Sequence, residues 1–346
     1  MDHKMVQTVL GSIEPSKLGI TLPHEHLSID FDKMYIPPNA DEVAGIQNCS
    51  WELANVGWIR QNPYCHKDNL TLKNCEAIIE KELQIYKAIG GSSIVELSTH
   101  GLQRNLKFIK DISESTGVHI ITGAGYYVNT CQELKMNTTP VEELTESIMN
   151  ELTVGSDGIR CGCIGELGCS FPLHANERRV LQAGAIAQSQ AGCGMNIHPG
   201  RDVNAPIDII RILQESGADI SKTTMSHLDR TIADNEKLIE LAETGCYLEY
   251  DLFGIEVSKY VYNPKFDMPS DAERIKQIKF LVDEGHEDKI LIAHDIHTKH
   301  RLVAFGGHGF NHIQKNVVPT MLDRGLTQKH VDKFLIHNPA AWLTVK

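Results

Sequence analysis

The sequence predicts an α/β protein, a (β/α)8 TIM barrel with a long insertion after its first strand. Three observations predict it: eight short β-rich apolar runs, helix-like segments between them that stop at glycine, and histidine or acid at the carboxyl ends of most runs. Strand–helix alternation implies a parallel sheet. From the second run on, the repeat of roughly 30 to 45 residues is that of a βα unit, and eight such units suit a closed barrel. An open doubly wound sheet is the alternative, but no G-x-G-x-x-G follows any run, so its dinucleotide-binding form lacks its fingerprint.

The first run, "LGITLPHEH" (18–26), ends on His24 and His26. Residues two apart on a strand share a face, so the two imidazoles point the same way. Residues 27–91 then separate the first two runs, far more than one helix and two turns need. This stretch holds the two prolines of "FDKMYIPPNADEV" together with Trp51 and Trp58. An insertion after a barrel strand lies on the catalytic face, so it is expected to cover the site in part; an extra helical pair on the flank is the other arrangement. "SSIVELS" (92–98) and "HIITGAGYY" (119–127) follow, then "CGCIGELG" (161–168) with Glu166. Cys161, Cys163 and Cys169 lack the C-x2-4-C spacing and second pair of a zinc site and read as strand cysteines that pack as small hydrophobes.

A helix over 177–192, with small or apolar residues at 180, 181, 184 and 187, leads to "GMNIHPG" (194–200) and His198. The isoleucine-rich helix 205–219 leads to "TTMSHLD" (223–229) and His227; helix 235–245 leads to "CYLEYDL" (246–252); helix 271–285 leads to "KILIAHD" (289–295) and Asp295. Each of these helices meets a glycine just before the next strand, the usual stop signal. The whole chain, 1–346, reads as one barrel domain.

Bulk composition narrows the function. A net charge of −12 over 346 residues excludes the basic face that nucleic acid requires and disfavours acidic membranes, while still allowing a local basic pocket for a small anion. Hydrophobic content of 41% and charged content of 23% are those of a globular protein. No apolar run reaches membrane-spanning length, and the first residues lack the apolar core of a signal peptide. The nine cysteines are therefore expected to be reduced thiols in the cytosol.

His24, His26, Glu166, His198, His227 and Asp295 all fall at or near carboxyl ends of strands, where barrel active sites are built. Imidazole and carboxylate are the usual ligands of zinc and its neighbours. A pair of divalent ions needs a bridging anion, and Glu166 is centrally placed to bridge. The strand-one histidines would then serve one ion with Asp295, and His198 and His227 the other.

"TLPHEHL", "IGELG", "IHPG", "SHLD" and "AHD", taken in order, resemble the phosphotriesterase family of the amidohydrolase superfamily. "GCYLEYDLFG", "MSHLDRTI" and "AHDIHTKHRL" with "GGHG" bring the chain nearest the family's animal branch. The likeness spans residues 6–343. It implies a binuclear metal hydrolase, with two divalent ions, Zn2+ first among them, held by His24, His26, Glu166, His198, His227 and Asp295. Many members bridge their metals with a carboxylated lysine; Glu166 in that region implies a site that needs no carbon dioxide to assemble. Two departures tell against phosphotriesters as natural substrates: Leu252 stands where triester and lactone hydrolases often carry histidine or arginine, and Arg230 where triesterases have an acid.

The animal branch implies hydrolysis of the amide of N-acetyltaurine, and of related N-acyl amino acids, to acetate and the free amine. A hydroxide held between the ions would attack the carbonyl, with Asp295 carrying the proton. The sulfonate needs a cation, which a guanidinium fork suits. Arg201 is the first candidate, ahead of Arg230, Lys299 and Arg301, and Tyr126 is the candidate for contact with the acyl oxygen. A lactonase or esterase using the same site, and a metal-binding protein without catalysis, are the competing readings. The expected partners are a small N-acyl substrate and, in a homodimer, a second copy of the chain.

Overall fold

A computed structural model describes residues 4–39 and 45–345. Two short strands, β1 (Val6–Thr8) and β2 (Gly11–Ile13), form an antiparallel hairpin. The eight strands that follow make one all-parallel sheet in sequential order: β3 (Ile20–Glu25), β4 (Gly91–Glu96), β5 (His119–Ala124), β6 (Cys163–Gly168), β7 (Met195–His198), β8 (Thr223–Met225), β9 (Tyr247–Tyr250) and β10 (Ile290–Ile292). All eight fall on the predicted runs. The hairpin was not legible, because three-residue strands carry no periodic signal.

Helices cover the barrel: α1 (Leu53–Gln61), α2 (Glu76–Ala88), α3 (Leu106–Thr116), α4 (Val141–Thr153), α5 (Ala175–Ala191), α6 (Ala205–Glu215), α7 (Asn235–Ala242) and α8 (Asp271–Asp283). Their ends follow capping chemistry. The Asn105 side chain accepts the Phe108 N–H before α3. Ahead of α5, the Glu177 carboxylate reaches back to the His174 N–H, and Gly192 ends that helix at φ 67°, a conformation that costs a side-chain-bearing residue energy. No helix of the described residues is long and apolar enough to cross a membrane.

The barrel closes where its first and last strands meet, and the glutamate between the two histidines makes the closure. Glu25 accepts the backbone N–H groups of His294 and Ile296, both at 2.9 Å, and faces His294 Nδ1 at 2.7 Å. The Asp295 N–H reaches the His24 carbonyl at 3.2 Å. The amino-terminal end of the barrel is filled by an apolar cluster that includes Val6, Leu18, Val95, Ile121, Tyr247, Leu291 and Trp342.

The long connection after β3 divides in two. Its second part is α2, which buries Ile79, Leu83 and Tyr86 and ties to the barrel through the Tyr86 hydroxyl, which contacts the carbonyls of Ile20 and Ser93. The first part crosses the carboxyl end of the barrel, where Phe31, Pro63 and Tyr64 line the central cavity. Residues 40–44 of the connection lie outside the described residues.

Candidate metal centre

The six rim residues converge at the carboxyl end of the barrel. His24 and Glu166 lie within β3 and β6, and His198 ends β7. His227 and Asp295 sit two and three residues past β8 and β10 and turn inward through left-handed backbone, φ 55° and 53°. Such φ values are uncommon for residues with a side chain and gather at functional sites. Glu166 is set by close strand packing: a Cβ on Gly165 would lie 2.2 Å from the Asn196 carbonyl oxygen, and one on Gly123 would lie 1.6 Å from that of Gly165.

Glu166 stands at the centre. Its Oε2 is 2.9 Å from His198 Nδ1, 3.5 Å from His227 Nε2 and 3.7 Å from His24 Nε2; its Oε1 is 3.5 Å from His26 Nε2. Asp295 Oδ1 lies 3.1 Å from His26 Nε2 and 3.8 Å from His24 Nε2. His198 Nδ1 and His227 Nε2 face each other at 2.9 Å. His24 Nε2 is buried with no hydrogen-bond partner, a costly arrangement for a polar atom unless a ligand satisfies it. Four imidazole nitrogens and two carboxylates aimed at one small volume are the donor set a divalent transition ion takes. Three candidate ligand groups, His24–Glu166–His227, His24–His26–Asp295 and His24–Glu249–Asp251, all contain His24. The residues therefore fit the metal.

A polar layer beneath fixes the imidazoles. Glu249 Oε2 takes His24 Nδ1 at 3.0 Å and the Asn196 amide at 2.8 Å. Asp251 takes both the His227 N–H (2.9 Å) and its Nδ1 (2.7 Å). Ser98 Oγ is 2.9 Å from His26 Nδ1. A carboxylate or hydroxyl behind the ring sets which nitrogen is left to bind metal. Burial, reinforced by the Arg230 charge, holds His198 and His227 well below the usual imidazole pKa, and burial lowers His26. All three are thus neutral, the form that ligates. Burial pushes Glu166 up to about 8, against the opposing pull of His24.

Glu96, behind Ser98 in the same layer, is pushed up to about 7 by burial, with Ser98 and Arg104 opposing. A carboxyl raised from 4.5 binds more protons folded than unfolded, so its contribution to stability is lost as pH rises from about 4.5 through about 7. Glu96→Gln is therefore expected to stabilise the protein on the order of 2 kcal/mol at pH 8, with the gain fading toward pH 5. Urea unfolding at the two pH values checks this; a gain independent of pH would exclude the carboxyl as its source.

The cavity above the cluster takes its apolar wall from Leu252, Ile255, Val257 and Met268. Arg201 and Arg230 both line it. Arg201 donates its Nε–H to Tyr260 Oη at 2.6 Å and lies over the Tyr262 ring at 4.6 Å. Arg230 Nη2 is 3.2 Å from His198 Nε2. The other two basic candidates are engaged: Lys299 pairs with Asp68 at 2.7 Å, and Arg301, which also lines the cavity, gives its N–H groups to the carbonyls of Asp295, His294 and Phe253.

Tyr126 corrects an expectation. Its hydroxyl bonds Ser147 at 2.8 Å and its ring stacks on His100, outside the cavity. Tyr127 lines the cavity instead, 3.4 Å from His198 Nδ1. One residue of register at a strand end reverses the face. The acids Glu249 and Asp251 were missed, although "YLEYDL" places them two apart on one face of a strand, a signal as readable as His24 and His26. Tyr64 and His297, 3.2 Å apart, join from segments 233 residues apart and carry no joint signal in sequence. All nine cysteines are unpaired, and Cys161, Cys163 and Cys169 are buried.

A parallel (β/α)8 barrel whose carboxyl rim gathers four imidazoles and two acids is the framework of a metal-dependent hydrolase. The chain belongs to the phosphotriesterase family, whose model matches residues 4–343. It is 54% identical over 344 residues to the N-acetyltaurine hydrolase of Mus musculus, covering 99% of this chain and 98% of the relative, and 53% identical to that of Danio rerio with the same coverage. Among solved structures, a resiniferatoxin-binding protein from Rhodobacter sphaeroides superposes with a TM-score of 0.94 at 30% identity, covering 98% of this chain and 94% of that one.

Proposed function

We propose that this protein hydrolyses N-acetyltaurine to taurine and acetate, using two divalent ions per chain, with Zn2+ the best match to the donor set. The observation that carries the reading is Arg201: a guanidinium with no carboxylate partner among the described residues, opening on the same cavity as the six candidate ligands. The relatives named N-acetyltaurine hydrolases share the chain from end to end, and a sulfonate is the anion such a substrate brings.

In this reading His24, His26 and Asp295 hold one ion, His198 and His227 the other, and Glu166 lies between. When bound, the ions polarise the amide carbonyl and lower the pKa of water. Asp295 takes the proton of the attacking water and returns it to the leaving nitrogen, as base and then acid. Although burial opposes it, His297 and His26 hold the Asp295 carboxyl well below the usual range, so it starts ionised. Arg201 anchors the sulfonate, and the apolar wall with Tyr64 and Phe31 keeps bulk water out. The acyl-contact role given to Tyr126 passes to Tyr127. A cytosolic location and a homodimer remain part of the reading.

Arg201→Met keeps most of the side-chain length and removes the charge. It is expected to lower kcat/KM for N-acetyltaurine by about 2–4 kcal/mol, the range for truncating one partner of a buried charge pair, and to lower it far less for a neutral N-acetyl amide. Steady-state assays of purified, zinc-loaded protein check this. Equal loss on both substrates would assign the effect to disturbed ligand geometry. Turnover of acyl esters or lactones with no amide cleavage would replace the amidase by a lactonase or esterase.

A further inference from the structure

Arg201 and Arg230 occupy equivalent places in the barrel. Each follows a candidate ligand by three residues, His198 at the end of β7 and His227 beyond β8, and these strands pair directly, Met195 with Thr223 and Ile197 with Met225. Paired strands lie about 4.8 Å apart, so the two side chains leave neighbouring points of the rim and line one cavity.

Among the described residues, neither has an ion-pair partner. Among the described residues, the Arg201 side chain donates to the Tyr260 hydroxyl and lies over the faces of Tyr260 and Tyr262. Arg230 donates to Thr231 Oγ1 and the Pro199 carbonyl, each at 3.2 Å, and faces His198 Nε2. Among the described residues neither lies within ion-pair distance of a carboxylate. Two other buried guanidiniums have carboxylate partners, Arg274 with Asp229 at 2.8 Å and Asp271 at 2.9 Å, and Arg104 with Glu151 at 2.9 Å, while Arg301 spends its N–H groups on the carbonyls of Asp295, His294 and Phe253. Arg230 is 2% exposed. Buried charge without a partner is costly, and of the five donors a guanidinium has to give Arg201 spends one here and Arg230 three. Among the described residues, two guanidiniums without an ion-pair partner thus line one cavity where two neighbouring strands end.

One carboxylate fills one guanidinium fork. A tetrahedral head with three oxygens offers an edge to each of two, and a second ionisation near neutral pH, as in phosphate monoesters (about pH 6), supplies both charges. We propose that Arg201 and Arg230 together form a dianion site, and that N-acyl 2-aminoalkylphosphonates are a second substrate class of this enzyme beside the monoanionic sulfonates. The inference rests on the amidase reading and extends it. The reaction is the same hydrolysis: water adds to the amide carbonyl carbon, a C–O bond forms, the C–N bond breaks, and the water proton ends on the amine nitrogen. The phosphorus–carbon bond is untouched, and no further reactant is needed.

The test compares N-acetyltaurine, N-acetyl-2-aminoethylphosphonate, N-acetyl-β-alanine and N-acetylaspartate as substrates of the purified, zinc-loaded full chain. Acetate release is followed from pH 6 to 8.5, and metal content is checked afterwards to exclude stripping of zinc by the phosphonate. The phosphonate is expected to reach a kcat/KM within about tenfold of the sulfonate, and the phosphonate-to-sulfonate ratio to rise as the second proton leaves; taking the ratio cancels titrations of the enzyme itself. N-acetyl-β-alanine, with one planar head on the same linker, is expected at least about tenfold lower. Arg230→Met, checked for folding and metal content, is expected to lower the phosphonate value at least about tenfold more than the sulfonate value. The proposal is overturned if N-acetyltaurine is cleaved while the phosphonate is inert or only an inhibitor, if the ratio does not change with pH, or if N-acetylaspartate is preferred to both. The first of these outcomes leaves the amidase reading standing; turnover of neither N-acetyltaurine nor the phosphonate overturns both.

Discussion

Glu166→Ala is expected to leave the barrel folded, to lower bound divalent metal below two ions per chain, and to reduce kcat for N-acetyltaurine by at least about 10^3-fold, corresponding to several kcal/mol of lost charge stabilisation. Among the described residues, Glu166 is the one carboxylate within 3.7 Å of all four imidazoles, so its removal leaves their nitrogens facing one another without the negative charge that would hold two cations together. The fold should survive because the closure between first and last strands belongs to Glu25, and the apolar core lies around and below the site. Metal analysis after gel filtration, circular dichroism and a turnover assay check the three parts. Two tightly bound ions and normal turnover in the variant would remove Glu166 from the bridging position. Glu166→Lys should regain part of the metal in bicarbonate, since a carboxylated lysine would restore a bridging carboxylate.

Asp295→Asn is expected to lower kcat by about 10^2- to 10^4-fold, the span of general acid–base catalysis, while losing much less metal than the Glu166 variant. Asparagine keeps a ligating oxygen and the shape, and it lacks only the basic carboxylate. The contact of Oδ1 with His26 Nε2 at 3.1 Å places that oxygen at the ligand cluster, and His297 Nδ1 approaches the same oxygen at 3.2 Å. If the variant turned over normally with full metal, another group would have to carry the proton. If activity fell only in proportion to lost metal, Asp295 would be a ligand and nothing more.

These two experiments bear on residues that are legible in the sequence, and the reason is local. A barrel places its chemistry at the carboxyl ends of strands, and a β-rich run that stops at histidine or acid announces such a place within a few residues. His198 in "IHPG" and Asp295 in "AHD" needed nothing beyond their own run. The helices were equally local: glycine before the next strand marks the end of α5 to within a residue. Tyr126 failed for the same kind of reason, since the side of a strand end is settled by twist and by where the strand stops.

What the sequence by itself determined is the barrel, the order of its strands and the six residues on its rim, because each follows from short-range periodicity and from the chemistry of single side chains. Only the tertiary structure decided which atoms meet. Glu249 stands behind His24 across 225 residues, and Glu25 turns away from the site to lock His294 across 269. The long connection both lends Phe31, Pro63 and Tyr64 to the cavity lining and supplies a flank helix. Above all, that no described carboxylate pairs with Arg201 or Arg230, while Arg274 and Arg104 each have one, is a property of three-dimensional neighbours. Local sequence sets where a charge leaves the chain; packing alone sets whether that charge is neutralised or kept for a ligand.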